Sequence, residues 1–454
     1  MEQSQLYIIF FIIYIIIVIS IGIILSRKSS EDGFMIANRK VAGLRVGATM
    51  SAGFFDGATL SIYFAYIYMY GVSAIWVFIG MILGVIVFSR YAGRIKEKSL
   101  SMGCYTMPEY FYRMYGKKAG IMFSFFIILQ FFLLLVVNFI VSSKVLSLMF
   151  NIPYALALVI GGAIVLSYLM LAGFKAVVDT DFFQLMIMFL LFFLTLFLIF
   201  GKASAIPASD FNLGAMGIGN ALGFAIIGML GFMVAPDIWE RVFATKDEKN
   251  LKTGLRYAVA IVFILTISMT TIGLIMKNSL HNVAPVDAFF QGFLLLLPAG
   301  ISAFAMVLLY AVTLSSTDTI TFVVSSIMTR DLKNYTARFG EESMKKMSRF
   351  FMVLFIAAGI TIAILYEDIT RIGLAFASVA VTVFPVVFAG FYWKLDNRAV
   401  FWSLVVSLIS IIAVFAATTL DPANSIIGLP VCALTLFILQ KVFKKKKSIK
   451  DAAS

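Results

Sequence analysis

Charge is scarce in this chain. Only 13% of its 454 residues are charged, while 62% are hydrophobic. A soluble domain is typically about a quarter charged and about half apolar. No soluble fold hides this much apolar surface, so a water-soluble enzyme is excluded. Histidine is almost absent: His281 stands alone, which rules out histidine-rich metal chemistry and makes a Ser-His-Asp triad improbable. The two cysteines, Cys104 and Cys432, are too few for a disulfide framework or a four-ligand metal site. Pro/Ser-rich linkers and polar domains are missing too, and no G-x-x-x-x-G-K-[ST] occurs, so ATP-driven work within this chain is not expected.

Long apolar runs are what the chain has instead. About thirteen stretches approach the length that spans a bilayer, at 5–26, 44–70, 72–97, 119–149, 153–172, 178–201, 216–241, 255–277, 292–328, 347–366, 370–393, 399–419 and 425–443. The first is too long for a signal-peptide core and has no basic segment before it, so it reads as a mature helix. With the N-terminus outside, alternation leaves only Lys144, Lys202, Lys277 and Arg371 of the 36 Lys and Arg on the outer side. That asymmetry obeys the positive-inside rule and puts the C-terminus inside. The +13 net charge therefore speaks of topology, not of nucleic acid. The terminal run from Lys441 to Lys450 reads as a topology anchor, with an acidic-lipid site as the alternative.

Ionisable groups inside spans are costly and hence functional candidates. Three carboxylates qualify: Asp56, Asp181 and Asp318. No Lys or Arg lies near the middle of a span to neutralise them, so a bound hard cation is the simplest partner. Gly53 and Gly57 flank Asp56. Either they break the helix to expose backbone carbonyls to a site, or they let a neighbouring helix pack closely. Ser315, Asp318 and Thr319 fall at i, i+3 and i+4, on one face of a helix, with Ser316 alongside. Back-bonding to the preceding turn explains a lone serine but not a carboxylate on that face. Asp181 has a competing reading, as a cap at the start of the sixth span. His281 reads as solvated, and the 46 Phe as lipid-facing bulk.

Several segments together resemble one family. They are Phe34-Met35-Ile36-Ala37-Asn38-Arg39, Ser51-Ala52-Gly53, Tyr105-Thr106-Met107-Pro108-Glu109 with Arg113-Met114-Tyr115-Gly116, and Gly173 to Val177 with Thr180-Asp181-Phe182-Phe183-Gln184. Pro236-Asp237-Ile238-Trp239-Glu240-Arg241 and Gly390-Phe391-Tyr392-Trp393 with Asn397 complete the set. In this order they resemble the sodium:solute symporter family, which includes bacterial proline, pantothenate and sialic acid symporters. The resemblance implies an all-α, polytopic, leucine-transporter-like fold built on two five-helix inverted repeats. Its parts would be an N-terminal extra helix at 1–43, repeats at 44–201 and 202–393, and two C-terminal helices with the basic tail at 394–454. Substrate and ion would meet at the midplane, where the first helix of each repeat is unwound. Gly223, Gly228 and Gly231 fit the second unwound helix.

The resemblance also implies a sodium site between the second and ninth spans. By position its ligands are the carbonyls of Phe54, Gly57 and Val312 and the hydroxyls of Ser315 and Ser316. A second cation site found in some members maps onto Asp181, Ser315, Asp318 and Thr319. Asp318 departs from the sialic acid type, which has a hydroxyl residue there, and a carboxylate strengthens the site or lets it carry a proton. Asp56 resembles the proline-transporting members. With Asp56 facing the pocket and no arginine to clamp a carboxylate, an ammonium-bearing zwitterion such as proline fits best. Ser61, Gln130 and Asn138 are polar candidates around the solute, and Trp76 and Phe224 are candidate aromatic gates, each with ordinary packing as its alternative. The expected activity is sodium-coupled symport by alternating access in the plasma membrane. The expected partners are a small solute and the bilayer, with no nucleic acid and no obligatory protein partner. A proton-coupled carrier is the nearest rival. A transport-like sensor usually carries a signalling domain, and this chain ends just after its last span. A membrane aspartyl protease is suggested only by the paired aspartates.

Overall fold

The computed structural model describes residues 3–25, 36–201, 206–336 and 341–452, and within these all side chains but those of 3, 21–25, 168, 171–180, 315, 332–336, 341–342 and 445–452. In a bilayer every backbone polar group needs an internal partner, so apolar runs this long fold as helices. The chain runs through α1 (Gln3–Leu25), α2 (Gly43–Ala52), α3 (Gly57–Tyr70), α4 (Trp76–Met102), α5 (Met107–Phe150) and α6 (Tyr154–Ile199). It continues through α7 (Ile218–Val234), α8 (Pro236–Ala244), α9 (Glu248–Ser279), α10 (Ala288–Leu296) and α11 (Ala299–Thr336). Last come α12 (Glu341–Leu365), α13 (Ile369–Thr382), α14 (Phe384–Tyr392), α15 (Asn397–Ala417) and α16 (Gly428–Ala452). Among the described residues the one β-type feature is an isolated bridge between Val41 and Thr245.

Ten helical stretches are long and apolar enough to cross a membrane, by length and composition, among the described residues. The expected number was about thirteen. Two reasons account for the difference. Gly57–Met102 runs two expected spans into one stretch, and the first and fifth expected spans run on beyond the fully described residues, which leave only the apolar pieces Ser4–Ser20 and Tyr154–Ser167 of them. Asp181 is also corrected. Helix α6 continues through it, so Asp181 sits within a helix and is not a cap at its start.

Three helices break where they approach the centre of the bundle. The first break, at 53–56, separates α2 from α3. The second separates α7 from α8 at Ala235, whose backbone is extended (φ −67°, ψ 120°), with Pro236 opening the new helix. Proline has no N–H to continue the ladder, which is why the chain restarts there. The third falls at Val383, ahead of Pro385, between α13 and α14. Gly223, Gly228 and Gly231 therefore do not mark the second break. A Cβ on Gly228 would lie 1.8 Å from the Val77 carbonyl, and one on Gly223 would lie 2.1 Å from the Pro422 carbonyl. These two glycines let backbones touch, the close-packing role of small residues in membrane helices. Helices α4 and α7 lie along each other through this contact, while α11 is wrapped by α5, α6 and α12.

Candidate functional site

The first break puts a carboxylate at a helix start. Asp56 has extended backbone and caps α3, its Oδ1 accepting from the Thr59 N–H at 2.6 Å. Its Oδ2 accepts from Asn138 Nδ2 at 3.0 Å. A helix N-terminus carries partial positive charge and favours an anion there. Asp56 thus has two donors and a helix dipole as partners, and does not depend on a bound cation as the sequence implied. It is buried, and it borders a cavity.

That cavity holds about 110 Å³ and lies where the breaks converge. A water needs roughly 10–15 Å³ on this measure, so the space suits one small solute or a few waters. Its polar lining is Asp56, Thr59, Gln130, Asp237, Ser316 and Thr319, and its apolar walls include Phe54, Phe78, Phe131 and Phe376. No Lys, Arg or His belongs to its described lining. A second, smaller space of about 90 Å³ shares Thr59, Val77, Leu134, Ile227, Phe376 and Ala377 with it and extends to Phe224 and Tyr63. The two are neighbours, with Thr59 of α3 in both linings.

Phe54, Ser316, Asp56, Gln130 and Thr319 come together at the cavity. Gly57 and Val312 do not line it; Gly57 stands where α3 meets α11. A Cβ on Gly57 would lie 2.2 Å from Thr313 Cγ2, so only glycine lets the start of α3 lie against α11. Ser315 belongs to α11, but its side chain lies outside the described residues. Asn138 is held by Asp56 and reaches the cavity only through it. Phe224 lines the smaller space and stands edge-on to Tyr66 at 4.6 Å. With Asn138, two further expected solute contacts line neither space. Ser61 is buried outside them. Trp76 is half-buried and spends its indole N–H on the Leu213 carbonyl at 3.0 Å, while its neighbours Val77 and Phe78 face the cavity.

The charge balance is the largest correction. Arg241, on α8, is buried in the bundle and donates to Asp181 Oδ2 at 2.6 Å and to Asp237 Oδ2 at 3.1 Å. Thr319 donates to the other Asp181 oxygen at 3.3 Å. Asp181 therefore has a cation from the chain itself, which the sequence had placed at the edge of a loop. Asp318 is fully buried next to Thr319 and is not part of the cavity lining. Asp237 was missed as a site residue, although the Pro236 that breaks its helix was visible in the sequence.

A polar knot lies away from the cavity. Glu109 accepts from the Tyr105 N–H (2.9 Å), from Arg113 (3.2 Å) and from Arg330 (3.3 Å). The Arg330 guanidinium covers the Tyr105 ring at 4.0 Å. Arg39 donates to the carbonyls of Cys104 (2.9 Å) and Phe243 (3.3 Å). The knot ties the segment before α2, the start of α5, α8 and the end of α11 together. Burial pushes the Cys104 thiol up to about 12, with the Glu109 charge adding to the effect.

The model of the sodium:solute symporter family matches residues 34–407. The chain belongs to the sodium:solute symporter family. A sodium/proline symporter of Staphylococcus aureus is 24% identical to it over 95% of this chain and 92% of its own length. The fold is shared with a Na+-coupled sialic acid symporter, solved in a substrate-bound outward-open state (TM-score 0.80, 17% identity, 96% of this chain and 97% of that one). It is shared more distantly with a nucleobase-cation-symport-1 family transporter (TM-score 0.56, 14% identity, 91% and 95% covered). The family and its structural neighbours are transporters, not enzymes, and this chain is an integral, multi-pass, all-helical membrane protein. Membership and neighbours support sodium-coupled symport of a small-molecule solute.

Proposed function

We propose that this chain carries a small zwitterionic solute, proline or another amino acid, into the cell with sodium by alternating access across the plasma membrane. The cavity carries this reading. It offers acceptors (the carboxylates of Asp56 and Asp237, the Gln130 carbonyl oxygen) and hydroxyls, and no cationic side chain among its described lining. Gln130 Oε1 is buried without a hydrogen-bond partner, ready for a donor. An ammonium group meets that chemistry, and the aromatic walls suit a compact apolar body. The solute carboxylate is left to a bound sodium, since Asp56 already caps the N-terminus of α3. The 24% identity to a sodium/proline symporter agrees with proline as the first solute to test.

The sodium site we assign uses the carbonyls of Phe54, Gly57 and Val312 and the hydroxyls of Ser315 and Ser316. The Gly57–Thr313 contact supports it, because it holds the first break against α11. Sodium bound there bridges a broken helix to an unbroken one and stabilises the outward-open arrangement. The breaks at 53–56 and at Ala235 support the division into repeats at 44–201 and 202–393. The Glu109 knot, on the side we read as cytoplasmic, closes the inner path until sodium and solute leave. An inward sodium gradient drives the cycle, since one charge crossing 100 mV contributes about 2.3 kcal/mol.

The test is uptake of labelled proline and other amino acids into proteoliposomes under an imposed sodium gradient. Uptake that ignores sodium for every solute tried sinks the coupling. One observation favours a proton-coupled carrier of the same fold. Both Glu240 carboxyl oxygens are buried without a hydrogen-bond partner, and a carboxyl outside any short ion pair is the group such a carrier needs. Uptake driven by a pH gradient in sodium-free buffer decides for that rival.

A further inference from the structure

The break at Val383 separates α13 from α14, and both pack on α16. Between them lies a surface groove of about 570 Å³, larger than the central cavity and unrelated to it. Phe384, Phe388, Leu436 and Phe437 make its apolar floor and walls. One end is polar. Lys441 and Lys444, at i and i+3 on the same helix face, line it, and no Asp or Glu belongs to its described lining. Tyr392 (62% exposed) and Trp393 (66%) stand on the other wall, where aromatic rings mark the membrane–water boundary. The basic end is built rather than frayed. Gln440 donates to the Lys394 carbonyl at 3.0 Å and accepts from the Asp396 N–H at 2.8 Å, fixing α16 to the turn after α14. Lys441 Nζ lies 4.2 Å from the centre of the Phe437 ring, so the cation is held over the groove wall.

An apolar trough that ends in two cations at the aromatic boundary fits one class of ligand. We propose that this groove is a binding site for an anionic phospholipid of the leaflet at the lysine-rich end. Its acyl chain lies along Phe384, Phe388 and Phe437, and its phosphate sits between Lys441 and Lys444. Two lysines near the surface favour an anionic over a zwitterionic headgroup by roughly tenfold or more. Helix α13, which leads directly into α14, lines the central cavity through Phe376, Ala377 and Val381, so lipid in the groove holds the segment next to a helix that borders the solute path. The site stands whether or not the chain proves to carry proline.

The experiment is native mass spectrometry of the full-length protein in detergent, titrated with phosphatidylglycerol and with phosphatidylcholine. The wild type should retain phosphatidylglycerol at least about tenfold better, and Lys441→Gln with Lys444→Gln should abolish that preference. Ala433→Trp, at an exposed position on the groove wall, should reduce retention of both lipids by filling the trough. A variant with Gln at Lys445, Lys446, Lys447 and Lys450 should keep the preference. The proposal fails if the wild type shows no preference, if the double lysine variant keeps it, if only the tail variant loses it, or if inorganic phosphate displaces the bound species as readily as the lipid does.

Discussion

Gly57→Ala tests the proposed sodium site without touching a ligand side chain. The added methyl would lie 2.2 Å from Thr313 Cγ2, 2.9 Å from Thr313 Cβ and 3.0 Å from Val141 Cγ1. None of these is the free end of a long side chain, so α3 must move away from α11. Overpacking a close contact costs about 1–3 kcal/mol. If that falls on the sodium-bound state, where α3 and α11 are pressed together, sodium affinity drops by roughly 5- to 150-fold. The assay is the sodium dependence of proline uptake, paired with the thermal shift that sodium confers on the purified protein. Thr313→Ser supplies the rescue. It removes the methyl that lies nearest, and a serine can keep the 2.8 Å bond from Thr313 Oγ1 to the Tyr310 carbonyl. Gly57→Ala with Thr313→Ser should recover a large part of the lost affinity. Unchanged sodium dependence in Gly57→Ala, at wild-type thermal stability, would refute the assigned contact between the first break and α11.

The other expectations follow from the same geometry. Ser316→Ala should raise the sodium concentration for half-maximal uptake about tenfold or more while leaving the melting temperature near wild type; equal sodium affinity sinks that ligand. Arg241→Gln leaves Asp181 and Asp237 buried without their cation, and breaking such pairs costs about 3–5 kcal/mol. Its melting temperature in detergent should fall sharply, and adding Asp181→Asn should restore part of the loss; no coupling between the two changes removes the ion pair from the picture. With a thiol held near 12, Cys104 is thiolate in only roughly one molecule in ten thousand at pH 8, and it is fully buried. In a Cys432→Ser background, alkylation should be slow and should rise at least about tenfold in Glu109→Gln, whose knot is loosened; equal rates mean the knot does not close that side. Asp247 caps α9 through the Asn250 N–H at 2.8 Å, and that bond holds its carboxyl below the usual range. A depressed carboxyl stabilises the fold above its unfolded value and loses that contribution as pH falls through the folded one. The helix start should therefore loosen on acidification below about pH 4, as read by hydrogen exchange, and Asp247→Asn should remove the pH dependence.

Much of the fold was legible because a bilayer leaves so few options. Long apolar runs become helices, and the glycines around Asp56 marked a break that the structure has. The second break was legible too, but at Pro236 and not at the glycines, since Gly223 and Gly228 answer to neighbouring backbones that no single sequence reveals. Asp56, Gln130, Ser316 and Thr319 were each visible as polar residues in apolar surroundings, and they meet at the cavity. Trp76 and Ser61 looked similar in sequence and do not line it, because their orientation depends on which face α3 and the start of α4 turn to their partners.

Taken alone, the sequence determined that the chain lives in a membrane, that its segments read as a sodium:solute symporter, and that a few buried carboxylates need partners. Hydropathy and residue type suffice for that, because transfer into lipid is a property of each side chain. Who those partners are was decided only in three dimensions. Arg241 lies 60 residues from Asp181 in the chain and 2.6 Å from it in the bundle. Ion pairing falls off with distance through space, and distance along the chain does not report it.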